Sequence, residues 1–193
     1  MANLGSENTP IEGESVSTES LSTDWMVDAG DFDTLQDAVD AAESSNARLV
    51  KVPSGTYNEE VLVLNEPLII EGNGEDTLID GGNERAFAVN QPVVLRDLSL
   101  NSDGDNTLRL GSDSDGALID NVSILGSGGN GVDTASAADS LKLRELDVSP
   151  CDGNEIEVDA DNCSVIGCIV EGEIVDAGTN NSIPSNGNGN VII

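Results

Sequence analysis

The side chains that could do chemistry are unevenly supplied in this 193-residue chain, which holds 37 Asp and Glu, seven Lys and Arg, three Cys and no His. Two sets of charged residues recur at 24-residue intervals: Arg96, Asp120 and Arg144, and Arg109, Asp133 and Glu157. If successive repeats stack as strands about 4.8 Å apart, members of each set come near salt-bridge reach, and they read as ladders on an outer surface. The loops Asp103-Gly104-Asp105 and Asp113-Ser114-Asp115-Gly116 space carboxylates as calcium loops do, but neither has the closing glutamate of a full twelve-residue loop. They predict loose surface cation binding, and no cofactor is expected. Three cysteines without histidine argue against zinc. So few basic residues also argue against nucleic acid, whose phosphates need Lys and Arg.

What must position these residues is a repeat. Asn106, Asn130 and Asn154 stand 24 residues apart, and the apolar pattern around them keeps the same register. Val93, Leu95, Leu98 and Leu100 become Ala117, Ile119, Val122 and Ile124, then Leu141, Leu143, Leu146 and Val148. Cys163, Val165, Cys168 and Val170 follow after a deletion of two. Each row is two short alternating runs joined by a two-residue step, the pattern of strands with one buried face. A third run follows each asparagine: Leu108/Leu110, Val132/Thr134 and Ile156/Val158. Three strands per 24-residue coil predict an all-β fold, a single-stranded right-handed parallel β-helix of about six coils. The asparagines are expected to form a ladder of stacked amides. Gly104, Gly128, Gly129 and Gly153 are expected to supply positive φ at the bends. Cys163 and Cys168 fall at inward positions.

Composition fits a narrow tube: 37% of residues are hydrophobic and only 2% aromatic. A net charge of −30 would strain a compact chain in dilute salt. Molar salt shortens the Debye length to about 3 Å and screens most of that repulsion. The expected source is therefore a salt-loving organism or a virus of one. Residues 1–25 show neither a basic region nor an apolar core, so no secretory signal is read there, and no run is long enough for membrane insertion.

Phe32, Leu35, Ala38, Val39 and Ala42 recur at helical spacing and predict a capping α-helix over about 32–44, started by Asp31 or Asp33. The helix is followed by Pro53-Ser54-Gly55-Thr56-Tyr57, Glu60-Val61-Leu62-Val63, and Glu71-Gly72-Asn73-Gly74 before Thr77-Leu78-Ile79-Asp80. This segment, a quarter of the chain, resembles the N-terminal turns of the pectin-lyase-like right-handed β-helix superfamily, which includes pectate lyases, methylesterases, polygalacturonases and viral tailspikes. The resemblance implies the fold and no particular activity. Val132-Asp133-Thr134 after Asn130-Gly131 is similar to the first aspartate motif of polygalacturonases, but their Gly-His-Gly partner is missing. The motifs of methylesterases and pectate lyases are missing too. As an enzyme, the resemblance would imply a polysaccharide lyase, with Arg96, Arg144 or Arg109 as base and Asp120 or Asp133 as metal ligands. Trp25, Phe32, Tyr57 and Phe87 are the whole aromatic complement, which argues against a long sugar groove.

These observations together predict a non-enzymatic virion-surface protein of a haloarchaeal virus: a capsid turret or decoration, or a small tail spike that contacts the host. It would be made in the host cytoplasm and carried on the particle. Residues 1–30, polar and rich in Ser, Thr and Glu, would be an attachment arm, and 31–193 the β-helix domain. The apolar end Val191-Ile192-Ile193 has no evident cap, so a partner is expected there. By analogy with short viral spikes the assembly would be a homotrimer, bound to other virion proteins through residues 1–30 and the C-terminal end. Asn121, Asn162 and Asn180 lie in Asn-x-Ser/Thr sequons.

Overall fold

A computed structural model describes residues 25–184, together with the backbone of Val191 and Ile192. The fold is mostly β, with parallel strands in two sheets and one α-helix, and is that of a parallel β-helix. In the first sheet, Leu49–Lys51, Leu68–Glu71, Val93–Asn101 and Leu118–Ile124 lie side by side. Lys142–Arg144 and Asp147–Val148 continue the two halves of Leu118–Ile124. The second sheet stacks Val61–Val63, Phe87–Val89, Leu108–Leu110, Val132–Thr134, Ile156–Val158 and Ile174–Asp176.

The register follows the apolar repeat. Leu95 pairs with Ile119, Leu98 with Val122 and Leu100 with Ile124. Leu108, Val132 and Ile156 align in the second sheet. All of these side chains are buried, with Val158, Val165 and Val170, in one continuous core. Burying a branched aliphatic side chain stabilises by roughly 1.5–3 kcal/mol, and short strands can hold together here because each presents its apolar face to this core.

The two-residue step inside each row has a backbone cause. Asp97, Asn121, Glu145 and Gly167 adopt φ of 57°, 52°, 55° and 75°. A left-handed residue turns the chain sharply, and Asn and Asp tolerate it better than most. The step stacks on itself, for Asn121 donates from Nδ2 to Asp97 Oδ1 at 2.8 Å. Asn162 and Asn180 also have positive φ, so all three sequon asparagines occupy positions with a conformational reason for asparagine.

The expected glycine role is corrected. Among the described residues, positive-φ glycines are Gly55, Gly74, Gly82, Gly116 and Gly167; Gly104, Gly128, Gly129 and Gly153 are not among them. What these four lack is room. A Cβ at Gly129 would collide with Oδ1 of Asn106, and one at Gly153 with Oδ1 of Asn130. At Gly104 and Gly128 it would strike the backbone of Asn83 and Asp103 on the preceding turn.

The helix spans Leu35–Glu43 and buries Leu35, Ala38, Val39 and Ala42. Its N-cap is Thr34, whose hydroxyl accepts from Asp37 N at 3.0 Å, rather than Asp31 or Asp33. Phe32 lies outside the helix and is 37% exposed. Glu59 accepts from Leu35 N and Gln36 N at 2.8 and 2.9 Å, satisfying two orphan donors of the first turn. Gln36 and Glu43 in turn bind the backbone of Leu62, Leu64 and Asn65, which docks the helix beside the first strand of the second sheet. Of the expected arm, residues 1–24 lie outside the described residues. Met26–Asp28 forms a strand paired with Leu49–Lys51.

Candidate active site

Alternation in the second sheet turns one residue per strand outward. The outward column runs Leu62, Ala88, Arg109, Asp133, Glu157 and Val175. Arg109, Asp133 and Glu157 thus stand on three successive strands, about 4.8 Å apart. Asp133 is 6% exposed although it points away from the core. Arg109 Nη1 forms an ion pair with its Oδ2, and Asn106 Nδ2 donates to the same oxygen at 3.0 Å. Glu157 is held alike: Asn130 Nδ2 donates to Oε2, and Asn154 Nδ2 reaches that atom at 3.5 Å. Each carboxylate is therefore tied by one oxygen, while Oδ1 of Asp133 and Oε1 of Glu157 have no partner among the described residues.

The asparagine column is what holds these carboxylates. It is not a ladder of amide to amide. Asn106 Oδ1 accepts from the backbone N of Asn130, and Asn130 Oδ1 from that of Asn154, both at 2.8 Å. The amide nitrogens are thereby turned toward the carboxylates three residues further along on the next coil. Beside them, Arg85 bridges Asp105 at 3.0 Å and Glu60 at 3.7 Å.

Arg96, Asp120 and Arg144 lie elsewhere, on the outer face of the first sheet, in a column that also holds Asp28, Lys51 and Glu71. Glu71 binds Lys51 and, at 2.6 Å, Arg96 Nη2. Arg144 grips Asp120 with two bonds, at 2.7 and 2.5 Å. Hydrogen bonds from Lys51 and then Arg96 hold the Glu71 carboxyl below its usual range, and the Arg144 bond does the same to Asp120. Conversely, the bonds to Glu71 and to Asp120 raise Arg96 and Arg144 above the ordinary arginine value. Arginines held so firmly as cations are poor proton acceptors.

The carboxylate loops are engaged within the protein. Asp105 bonds its neighbour Asn106 N and pairs with Arg85; Asp113 accepts from Asn90 at 3.2 Å, and Asp115 from Asp139 N at 2.8 Å. Asp103 is exposed. Among the described residues no three or more His, Cys, Asp or Glu side chains converge as a metal centre. Cys163 and Cys168 are buried and Cys151 is half-buried, with no disulfide among the three.

The chain shares its fold with a glucanase catalytic domain. That solved structure is the catalytic domain of GH87 α-1,3-glucanase in complex with nigerose, to which the chain is similar with a TM-score of 0.64 at 10% identity, over 86% of this chain and 33% of that one. The chain thus spans about a third of its length. No protein-family model and no curated protein matches the sequence. The finding runs against the expected non-enzymatic virion-surface role, because the fold match is to a catalytic domain. The histidine and arginine motifs of other β-helix enzymes are missing from this chain. A pair of carboxylates needs none of them. Glu157 was overlooked as a site residue for that reason, although Asn-x-x-acid recurs at Asn130/Asp133 and Asn154/Glu157.

Proposed function

We propose that the chain is a carbohydrate-active right-handed β-helix of about six coils, hydrolysing a polysaccharide at Asp133 and Glu157. The observation that carries this reading is the pair itself. Two carboxylates stand in register on adjacent strands of a fold shared with a glycoside hydrolase domain, each fixed by one oxygen with the other left free. Two carboxyl groups flanking the scissile bond are what most glycoside hydrolysis requires. On adjacent strands about 4.8 Å apart the two carboxyl groups are spaced as in retaining hydrolysis. Asp133 Oδ1 bonds to the anomeric carbon as the bond to the glycosidic oxygen breaks, and Glu157 Oε1 gives that oxygen its proton; water then displaces Asp133 from the sugar, its proton returning to Glu157. The asparagines position both groups without touching the sugar. A lyase built on an arginine base is the weaker form of the same reading, since Arg96 and Arg144 are ion-paired and shifted away from deprotonation.

The test is release of reducing ends from a panel of neutral α- and β-glucans in molar KCl. Groups that carry the chemistry contribute at least about 10²–10⁴-fold, so Asp133→Asn and Glu157→Gln should each lower kcat by that order or more while the chain still melts cooperatively as a folded protein. Arg144→Met should leave turnover unchanged. Activity that survives both carboxamide substitutions, or no hydrolysis across the panel, refutes the assignment.

A further inference from the structure

We propose that a groove on the outer face of the first sheet, separate from the carboxylate pair, binds a neutral saccharide unit. This rests on the carbohydrate-active reading and extends it to a second contact with the glycan. Ser99, Ser123 and Asp147 align across three strands there. With Glu75, Leu125 and Ser149 they line a cavity of about 330 Å³, near the small end of ligand pockets.

The deciding residue is Ser99. It is 2% exposed, and its hydroxyl has no hydrogen-bond partner among the described residues. The other buried hydroxyls are all engaged: those of Thr77, Ser102, Thr107, Ser114 and Ser127 donate to backbone carbonyls, and that of Thr134 accepts from Asp159 N and Ala160 N. Ser99 Oγ is not sealed in, for among the described residues Arg96 Nε alone is an enclosed side-chain polar atom without a hydrogen-bond partner; the Ser99 hydroxyl opens onto the groove and is free to bond a ligand there.

The lining selects that partner's chemistry. Serine hydroxyls both donate and accept, as sugar hydroxyls do, whereas Glu75 and Asp147 when ionised only accept. The ligand must therefore be rich in donors and carry no negative charge. Leu125, 51% exposed, offers an apolar surface for the C–H face of a ring. Only two of these residues are carboxylates, and among the described residues no three His, Cys, Asp or Glu side chains converge as a metal centre. Because the groove and the catalytic pair belong to different sheets, they would contact different stretches of one glycan.

The experiment uses the full ¹⁵N-labelled chain carrying Glu157→Gln, so that ligands are not consumed, in molar KCl. Nigerose, maltotriose, trigalacturonate and calcium chloride are titrated separately, following the amides of Ser99, Ser123 and Ser149. The neutral sugars should shift these amides at millimolar concentration, and trigalacturonate should not. Ser123→Leu, which fills the groove, should weaken the response at least tenfold. Exposed Asp147→Ala, which cannot unfold the core, should weaken it severalfold. Shifts with calcium or trigalacturonate alone, or no shifts with either neutral sugar, overturn the proposal. Hydrolysis by the parent without groove shifts overturns it while leaving the carboxylate pair standing; groove shifts without hydrolysis do the reverse.

Discussion

The asparagine column makes an uneven prediction about stability. Asn130 works in both directions: its Oδ1 accepts from Asn154 N at 2.8 Å and its Nδ2 holds Glu157. Replacing it by alanine strands a half-buried N–H and removes a donor from a carboxylate. A hydrogen bond to a neutral group contributes about 0.5–1.5 kcal/mol net and one to a charged group about 1.5–3. Water can replace part of each at this half-exposed position, so Asn130→Ala should cost about 2–3 kcal/mol. In a chain of this length 1 kcal/mol moves the melting temperature by about 2–4 °C, which gives a loss of about 4–12 °C. The side chain of Asn154 has only the long contact to Glu157, at 3.5 Å. Asn154→Ala should therefore cost less than about 1 kcal/mol, close to the value of one weak hydrogen bond. Thermal melts followed by circular dichroism in molar KCl at neutral pH compare the two. Equal losses, or a greater loss at Asn154, would show that the column is not held as described.

Other outcomes follow from charge and burial. With a net charge of −30, raising KCl from about 0.1 M to about 1 M shortens the screening length from about 10 to about 3 Å, so melting should rise steadily with salt; a flat or falling curve refutes this. The depressed Glu71 carboxyl contributes stability that is present above its unfolded pKa and lost as pH falls through the lower folded one, so Glu71→Gln should lose less melting temperature than the parent between pH 6 and pH 3 in high salt. A larger loss in the variant contradicts the ion pairing. Burial pushes Cys151 and Cys168 up to about 11, so both should resist a thiol reagent at pH 8 in the native state and react fully on unfolding.

Register was legible in the sequence because the 24-residue interval repeats the apolar columns themselves, and Leu95 opposite Ile119 could be written down beforehand. The two-residue step was legible for the same reason. The helix was too, but not its cap, since Asp31, Asp33 and Thr34 are all good caps and only the docked geometry distinguishes them. The role of Gly129 and Gly153 could not be read locally, for the atoms that exclude a Cβ belong to residues 23 positions earlier. At the candidate site the columns were visible, but a column of mixed charges reads as a ladder. Only the difference in burial separates Asp133, nearly enclosed and paired through one oxygen, from the exposed Arg144 column. Groove residues such as Glu75 and Asp147 are distant in sequence and share no motif, so nothing joined them before the structure did.

The fit of Asn106 beneath Gly129, and of Asn130 beneath Gly153, gives the chain a direction of growth. Each turn closes onto a side-chain oxygen already set in place by the turn before it. The earlier coil is thus a template, and the later one has no complete hydrogen-bonding pattern without it. The helix Leu35–Glu43, seated against the first strand of the second sheet, supplies the starting platform. Assembly should therefore run from this end toward the C-terminus, as the chain itself emerges during synthesis. Trimming whole coils from the far end should shorten the rod and leave it folded, whereas removing the platform should deprive every later coil of its mould.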